Sequence, residues 1–175
     1  MMNRFSLFFL CFAFLAGCSS SYEANTDYKK EYDFSKVGSY FVIADKGLKN
    51  PMLSDIDRGR ISYAIDSKLQ KEGFKAAGHN SADILISYFV ITKDKVKVTS
   101  YVHNPRYVYA PTYDPGISAK DYTEGTFVLD FIDNKTKQTV WRSTLTKPLK
   151  TFDSIEQRDQ AIAELINKML AELPK

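Results

Sequence analysis

The sequence predicts an α+β fold, a two-layer sandwich in which two helices pack on one face of a mostly antiparallel sheet. Two segments, residues 54–73 and 153–173, show the apolar spacing of amphipathic helices. The segments around them are rich in β-branched and aromatic residues, which favour strands, and the predicted order is β-α-β-β-β-β-α. Covering one face of such a sheet with two helices is the economical way to bury the apolar side chains.

Composition limits the classes of function. The chain has 175 residues, 44% hydrophobic and 26% charged, a balance typical of a globular protein of one domain. The 24 Lys and Arg residues against 21 Asp and Glu residues give a formal charge of +3, too small to indicate nucleic acid as a partner. No run reaches the roughly 18 apolar residues of a spanning helix, so we do not expect a multi-pass membrane protein.

The N-terminus is typical of an export signal. Arg4 supplies positive charge, and residues 5–15 are apolar apart from one serine. Residues 15–18, Leu-Ala-Gly-Cys, resemble the bacterial lipobox, which implies cleavage after residue 17 and diacylglycerol and palmitate-type acyl groups on Cys18. The alternative is an ordinary secretory signal in which Cys18 is incidental. We expect lipidation of Cys18, attachment to the membrane through that lipid, and no other cofactor.

The anchor sets the predicted domain boundaries and location. Residues 1–17 are the signal peptide, residues 18–31 a polar, flexible tether, and residues 32–175 a single α+β domain. Because the only cysteines are Cys11 and Cys18, the mature domain would contain no thiol chemistry and no cysteine-ligated metal. No Asp follows Cys18, which by analogy with enterobacterial sorting favours the outer membrane, with the domain facing the periplasm.

The first half of the domain begins with a buried strand at residues 39–44. Ser54 is the predicted N-cap of the first helix, and Gly73 ends it as a C′ residue. One helical face carries an apolar stripe formed by Ile61, Ala64, Ile65 and Leu69. A short strand at residues 74–77 and a long strand at residues 83–101 follow.

The second half is predicted to contain a hairpin and a final helix. Residues 126–133 and 139–149 pair around a three-residue loop, which places Leu129 opposite Trp141. Asp153 or Ser154 caps the last helix. Its apolar stripe consists of Ile155, Ile162, Leu165, Ile166, Met169 and Leu173.

Residues spread over positions 28–174 resemble a bacterial lipoprotein family known as domain of unknown function 4136. The segments that carry the resemblance are residues 32–35, 60–66, 73–74, 82–88, 122–126, Asp130, Asp133 and 140–142. Members often have Gly where this chain has Ser143. The resemblance implies the envelope compartment and the fold, and it implies no reaction.

Candidate catalytic groups are few. The chain contains no GxSxG, HExxH, GxxxxGK[ST] or GxGxxG motif. Glu124 and Asp130 are the candidate acid/base pair, but residues six apart on one strand lie about 20 Å apart, beyond the spacing of paired catalytic carboxylates. We therefore expect Asp130 to form an ion pair with Arg142 across the hairpin. His79 and His103 are expected to be solvated in loops, and no metal site is predicted.

Residues 101–115 are the most unusual segment, with four of the eleven tyrosines and three of the six prolines. Aromatic rings interleaved with a guanidinium can stack on a ligand. The candidate binding residues are Tyr101, Arg106, Tyr107, Tyr109 and Tyr113. The alternative is a loop whose rings cover apolar surface of the sheet.

A row of lysines, Lys93, Lys95 and Lys97, lies on one face of the long strand. It is either a contact for an anionic surface or an exposed strand face that discourages aggregation.

Two functions are compatible with the sequence. The first is a lipid-anchored, periplasm-facing protein with a non-enzymatic binding or scaffolding role, whose partner would be an envelope protein or a glycan. The alternative is an envelope hydrolase that acts on glycan or peptide with carboxylates assembled by the fold. A deep pocket with converging polar groups would favour the hydrolase, and a flat aromatic patch would favour the binding protein.

Overall fold

A computed structural model describes residues 22–43, 53–101 and 116–174 of the chain. These residues form six strands and two α-helices. The elements are β1 (Asn25–Tyr28), β2 (Ser39–Val42), α1 (Asp55–Lys71), β3 (Lys75–Ala76), β4 (Ile84–Tyr101), β5 (Gly116–Asp133), β6 (Thr139–Pro148) and α2 (Ile155–Met169).

The strands form one sheet in the order β1-β6-β5-β4-β2-β3. β2 is parallel to both β3 and β4, whereas β4, β5, β6 and β1 pair antiparallel in succession. The parallel pair β2–β4 arises because α1 carries the chain back across the sheet between these strands. The predicted α+β sandwich is confirmed, and its sheet is mixed rather than mostly antiparallel.

The sheet has an edge strand that the sequence pattern did not indicate. The predicted tether, residues 18–31, overlaps β1, whose residues pair with β6 from Asn25↔Thr144 to Tyr28↔Trp141. A polar strand at a sheet edge is held by backbone hydrogen bonds, so it shows no apolar alternation from which it could be predicted.

The helix ends follow the predicted capping. Ser54 Oγ accepts a hydrogen bond from the Asp57 N–H at 3.1 Å, and Ser154 Oγ accepts one from the Gln157 N–H at 3.2 Å. Gly73 has φ = +95°, a conformation that glycine adopts without steric cost, and it ends α1 as predicted.

Both helices bury their apolar stripes against one face of the sheet, in a single core. Its most buried members are Tyr40, Ile61, Ile65, Leu69, Ile84, Ile86, Leu129, Phe131, Trp141, Leu145, Leu165, Ile166 and Met169. The predicted place of Ile155 in this stripe is wrong, because that residue lies in the first turn of α2 and is 64% exposed.

The hairpin of β5 and β6 has a register two residues away from the predicted one. Phe131, not Leu129, lies opposite Trp141, and their rings meet edge to face with centroids 4.9 Å apart. The connection spans residues 134–138 rather than three residues, with Lys137 at φ = +57°. Because side chains alternate with period two, a shift of two residues keeps the large apolar side chains on the helix-covered face.

β4 and β5 continue beyond the body of the sheet as a two-stranded ribbon. They pair from Ile84↔Asp133 to Tyr101↔Gly116, whereas β2 pairs only with residues 84–86 of β4 and β6 only with residues 124–132 of β5. Val96 and Val98, on the ribbon, are 59% and 66% exposed.

Candidate functional site

Asp130 and Arg142 form the expected ion pair. They lie directly opposite each other on β5 and β6, and Arg142 Nε and Nη2 donate to the two carboxylate oxygens of Asp130 at 2.6 and 2.7 Å. Asp130 is buried, and its carboxylate holds the pKa of Arg142 above its usual value through this hydrogen-bonded contact. Both carboxylate oxygens are engaged in an ion pair, so the contact is structural.

Asp133 organises the hairpin connection. Its carboxylate accepts hydrogen bonds from the Thr136 N–H at 2.6 Å, the Lys135 N–H at 3.1 Å and the Tyr32 hydroxyl at 2.9 Å. Burial alone would raise the pKa of Asp133, but these hydrogen bonds outweigh burial and lower it. Burial and the bond to Asp133 also raise the pKa of Tyr32.

Asp83 joins the start of β4 to the start of β2. Its Oδ2 accepts hydrogen bonds from the Gly38 N–H, the Ser39 N–H and the Ser39 hydroxyl at 3.1, 2.9 and 2.7 Å. The bond from the Ser39 hydroxyl is the largest reason that the pKa of Asp83 lies below its usual value. Asp83, Asp130 and Asp133, the acidic residues that belong to the family resemblance, therefore stabilise strand pairing and the hairpin connection.

Glu124 has a partner of its own on the ribbon. Its carboxylate pairs with Lys95 Nζ at 2.7 Å, and this contact raises the pKa of Lys95. Glu124 and Asp130 thus serve separate cations, and the structure does not bring them together as an acid/base pair. Lys93 and Lys97 are exposed, as the predicted lysine row requires.

Of the five candidate residues of the Tyr/Pro segment, the structure describes only the backbone of Tyr101. Tyr101 is the last residue of β4, and its backbone pairs with Gly116. Arg106, Tyr107, Tyr109 and Tyr113 lie outside the described residues, as does Cys18. Both interpretations of the segment remain predictions.

An apolar groove of about 500 Å³ lies between the helix-covered face of the sheet and one side of α2. Its apolar lining includes Ile61, Phe127, Leu145, Leu149, Ile162 and Leu165. Leu149 reaches this position because Gly125 has no side chain: a Cβ there would lie 2.6 Å from Leu149 Cδ2. The volume falls in the range of about 300–1,000 Å³ that is usual for small-molecule sites.

Lys147 lies on the inner face of β6 at this groove. Trp141, Ser143 and Leu145 are buried along that face, and Lys147 continues the same alternation at the end of the strand. Its Nζ lies 5.6 Å from the centroid of the Phe127 ring. Burial, and to a lesser degree neighbouring lysines, lowers the pKa of Lys147, while Glu164 opposes this shift. Among the described residues, no carboxylate oxygen lies within ion-pair distance of Lys147 Nζ.

The rim of the groove is more basic than acidic. Lys150, Arg158 and Lys168 line it beside Asp57 and Glu164. Asp57 is buried and accepts from Arg158 Nη2 at 2.8 Å, from Arg60 Nη1 at 3.3 Å and from the Ser54 hydroxyl at 2.8 Å. The one buried carboxylate of the groove is therefore already neutralised, and the rim presents excess positive charge.

Sequence reasoning did not identify this site. Lys147 could have been found from the sequence. Every second residue after Trp141 lies on the same apolar face of the strand, and the last of these residues is a lysine. The groove itself could not have been predicted from the sequence, because it forms where the helices no longer cover the sheet.

Neither a metal centre nor a spanning helix is evident in the part of the chain that the structure describes. No cluster of three or more His, Cys, Asp or Glu side chains there is arranged to hold an ion. No described helix combines the length and apolar character needed to cross a bilayer.

The described residues thus define an α+β sandwich whose candidate site is an apolar groove with a basic rim. The chain belongs to the family described as Domain of unknown function (DUF4136), which matches residues 24–175. The family resemblance predicted from the sequence is confirmed.

Solved structures match the chain at low sequence identity. A PDZ domain protein from Parabacteroides distasonis matches at 13% identity and a TM-score of 0.52, over 88% of this chain and 36% of its own. This chain therefore spans about a third of that protein's length. A PelC dodecamer from Paraburkholderia phytofirmans matches at 14% identity and a TM-score of 0.49, over 87% of this chain and 98% of its own. No curated protein matches the sequence.

Proposed function

We propose that the protein is a lipid-anchored envelope protein with a non-enzymatic binding role, and that the groove is its binding site. The observation that carries the proposal is Lys147, a half-buried cation that faces an apolar cavity and has no carboxylate partner among the described residues. An unpaired charge held out of water is costly to the fold, and such groups concentrate at functional sites.

The state of the acidic residues supports binding rather than hydrolysis. Asp57, Asp83, Asp130 and Asp133 each accept hydrogen bonds from neighbouring donors. A general acid or base needs a carboxyl that is available to exchange a proton with a substrate. The polar groups that converge on the groove are mainly cations, which suits recognition of an anion.

The position of the proposed anchor agrees with this site. Tyr22 lines the groove, and its carbonyl accepts a hydrogen bond from Lys168 Nζ at 3.3 Å. Cys18 precedes Tyr22 by four residues, a span of at most about 14 Å. A lipid on Cys18 would hold the groove close to the membrane surface, and we place that membrane as the outer one, with the domain in the periplasm.

The test fills the groove. Ala161, on α2, lines the groove, and Ala161→Trp should occupy it, whereas Asn167→Trp places the same ring on an exposed position of the same helix. The wild type and both variants are extracted from their own membranes and analysed by native mass spectrometry, with circular dichroism as the control for folding. We expect a bound molecule to co-purify with the wild type and with Asn167→Trp. It should be absent from Ala161→Trp. An identical set of bound molecules in a folded Ala161→Trp variant would contradict the proposal.

A further inference from the structure

We infer that the groove binds an amphiphile with one apolar chain and one carboxylate, a fatty acid, and that Lys147 Nζ is the counter-ion of that carboxylate. This inference rests on the proposed function of the groove as a binding site. It adds the chemical class of the ligand and the residue that selects it.

The apolar lining fits a hydrocarbon chain. Phe127 and Leu145 form the sheet side of the groove, and Ile162 and Leu165 form its helix side. These side chains offer dispersion contacts and no hydrogen bond, so they favour a chain that needs none. Each CH₂ that leaves water on binding should tighten the complex by up to about fourfold.

Lys147 fits the head of such a ligand. It lies near the end of β6, two residues after Leu145 on the same inward face, and both side chains line the groove. Its ammonium contacts the face of Phe127 and has given up part of its hydration. A ligand carboxylate beside Nζ would replace that hydration with a charge-assisted hydrogen bond.

The surrounding charges favour an anion over a neutral or cationic head. Lys150 and Lys168 add positive charge at the rim, and Glu164, which is exposed, accepts a hydrogen bond from Gln160 at 3.0 Å. Asp57 is neutralised by its arginines. The acyl groups expected on Cys18 are joined through neutral linkages, so charge complementarity selects a separate fatty acid over the protein's own lipid.

The experiment compares two probes that differ only in the head. The full-length lipoprotein in phosphatidylcholine nanodiscs is irradiated with a diazirine-bearing dodecanoate or with the matching dodecanol, and labelled peptides are quantified by mass spectrometry. We expect dodecanoate to label β5, β6 and α2 at the groove and to bind about tenfold or more tightly than dodecanol, because a hydrogen bond to a charged group is worth that much. Lys147→Met should remove this preference, so that the ratio of dodecanoate to dodecanol labelling falls to about one. Lys75→Met, the same change at the opposite edge of the sheet, should leave this ratio unchanged.

Three outcomes would overturn the inference: equal labelling by the two probes, an acid preference that survives Lys147→Met, or labelling confined to residues outside the groove. Equal labelling of the groove by the two probes would rule out a fatty acid as the preferred ligand, but it would not contradict the proposed binding function. That function fails separately, if Ala161→Trp retains the co-purified molecules of the wild type.

Discussion

At the residue scale, two buried polar atoms on β6 have no hydrogen-bond partner among the described residues. They are Trp141 Nε1 and Ser143 Oγ, and both side chains are fully buried. A buried polar group without a partner costs about 1–3 kcal/mol. The unpaired hydroxyl of Ser143 therefore destabilises the fold, and a side chain of similar size without a hydroxyl would avoid this cost.

Ser143→Ala should raise the free energy of unfolding by about 1 kcal/mol, because it removes the unsatisfied hydroxyl at little loss of volume. Ser39→Ala is the matched contrast. The Ser39 hydroxyl donates to Asp83 at 2.7 Å and accepts from the Asp83 N–H at 3.0 Å, so its removal should lower stability by about 1–3 kcal/mol. Urea denaturation of both variants measures the difference. A loss of stability in Ser143→Ala as large as in Ser39→Ala would show that Ser143 is satisfied.

The depressed pKa of Asp83 predicts how stability depends on pH. A carboxyl whose folded pKa lies below its unfolded value stabilises the fold at pH values above the unfolded pKa, and this contribution is lost as pH falls through the folded pKa. The free energy of unfolding should therefore fall as pH drops below about 5 and on through the folded pKa of Asp83, which lies below its usual value. Asp83→Asn keeps the shape without the titration and should flatten that fall. An unchanged pH profile in Asp83→Asn would contradict the assignment.

At the element scale, the β5–β6 hairpin fixes which face of the sheet the helices cover. Trp141 is fully buried against Phe131, whereas Arg142, the next residue, has a side chain that is 49% exposed. This alternation was predictable from the sequence. The register was not, because it depends on a loop whose length the strand pattern does not define.

Trp141→Ala should lower the free energy of unfolding by about 3–5 kcal/mol, the usual cost of removing a large aromatic side chain from a core. Such a loss is a large fraction of the roughly 5–15 kcal/mol that stabilises a domain. The denaturation midpoint measures the loss, and Tyr63→Ala, an exposed aromatic position on α1, is the control. A midpoint that matches the control would mean that the hairpin presents Trp141 to solvent.

Elements differ in how much their sequence reveals. α1 and α2 were predictable because their caps and apolar stripes are local: Ser54, Gly73 and Ser154 lie where the pattern placed them. β1 was not, because its pairing with β6 needs only backbone groups. The groove was not predictable either, since Phe127 and Ile162 are distant in sequence and meet only when the two layers pack.

At the scale of the whole molecule, we propose that a lipid on Cys18 holds the binding domain at the membrane. Cys18→Ala should leave the precursor without lipid, because the thiol of Cys18 is the acceptor in lipobox chemistry. Labelling with a fatty-acid analogue and detergent phase partitioning should show loss of the label and transfer to the aqueous phase. Cys11→Ala, within the predicted signal, should behave as the wild type. A Cys18→Ala protein that still incorporates the analogue would contradict the anchor.

The most direct test of the central claim is the titration of Lys147 itself. In protein carrying ¹⁵N-labelled lysine, the Nζ resonance missing from Lys147→Arg identifies the group. We predict that burial holds the pKa of Lys147 below the ordinary value of a lysine side chain in the ligand-free protein. Dodecanoate should raise this pKa, because a carboxylate beside the ammonium favours its charged form, and dodecanol should not. A Lys147 pKa at the ordinary value of a lysine side chain and unchanged by dodecanoate would contradict the proposed binding role.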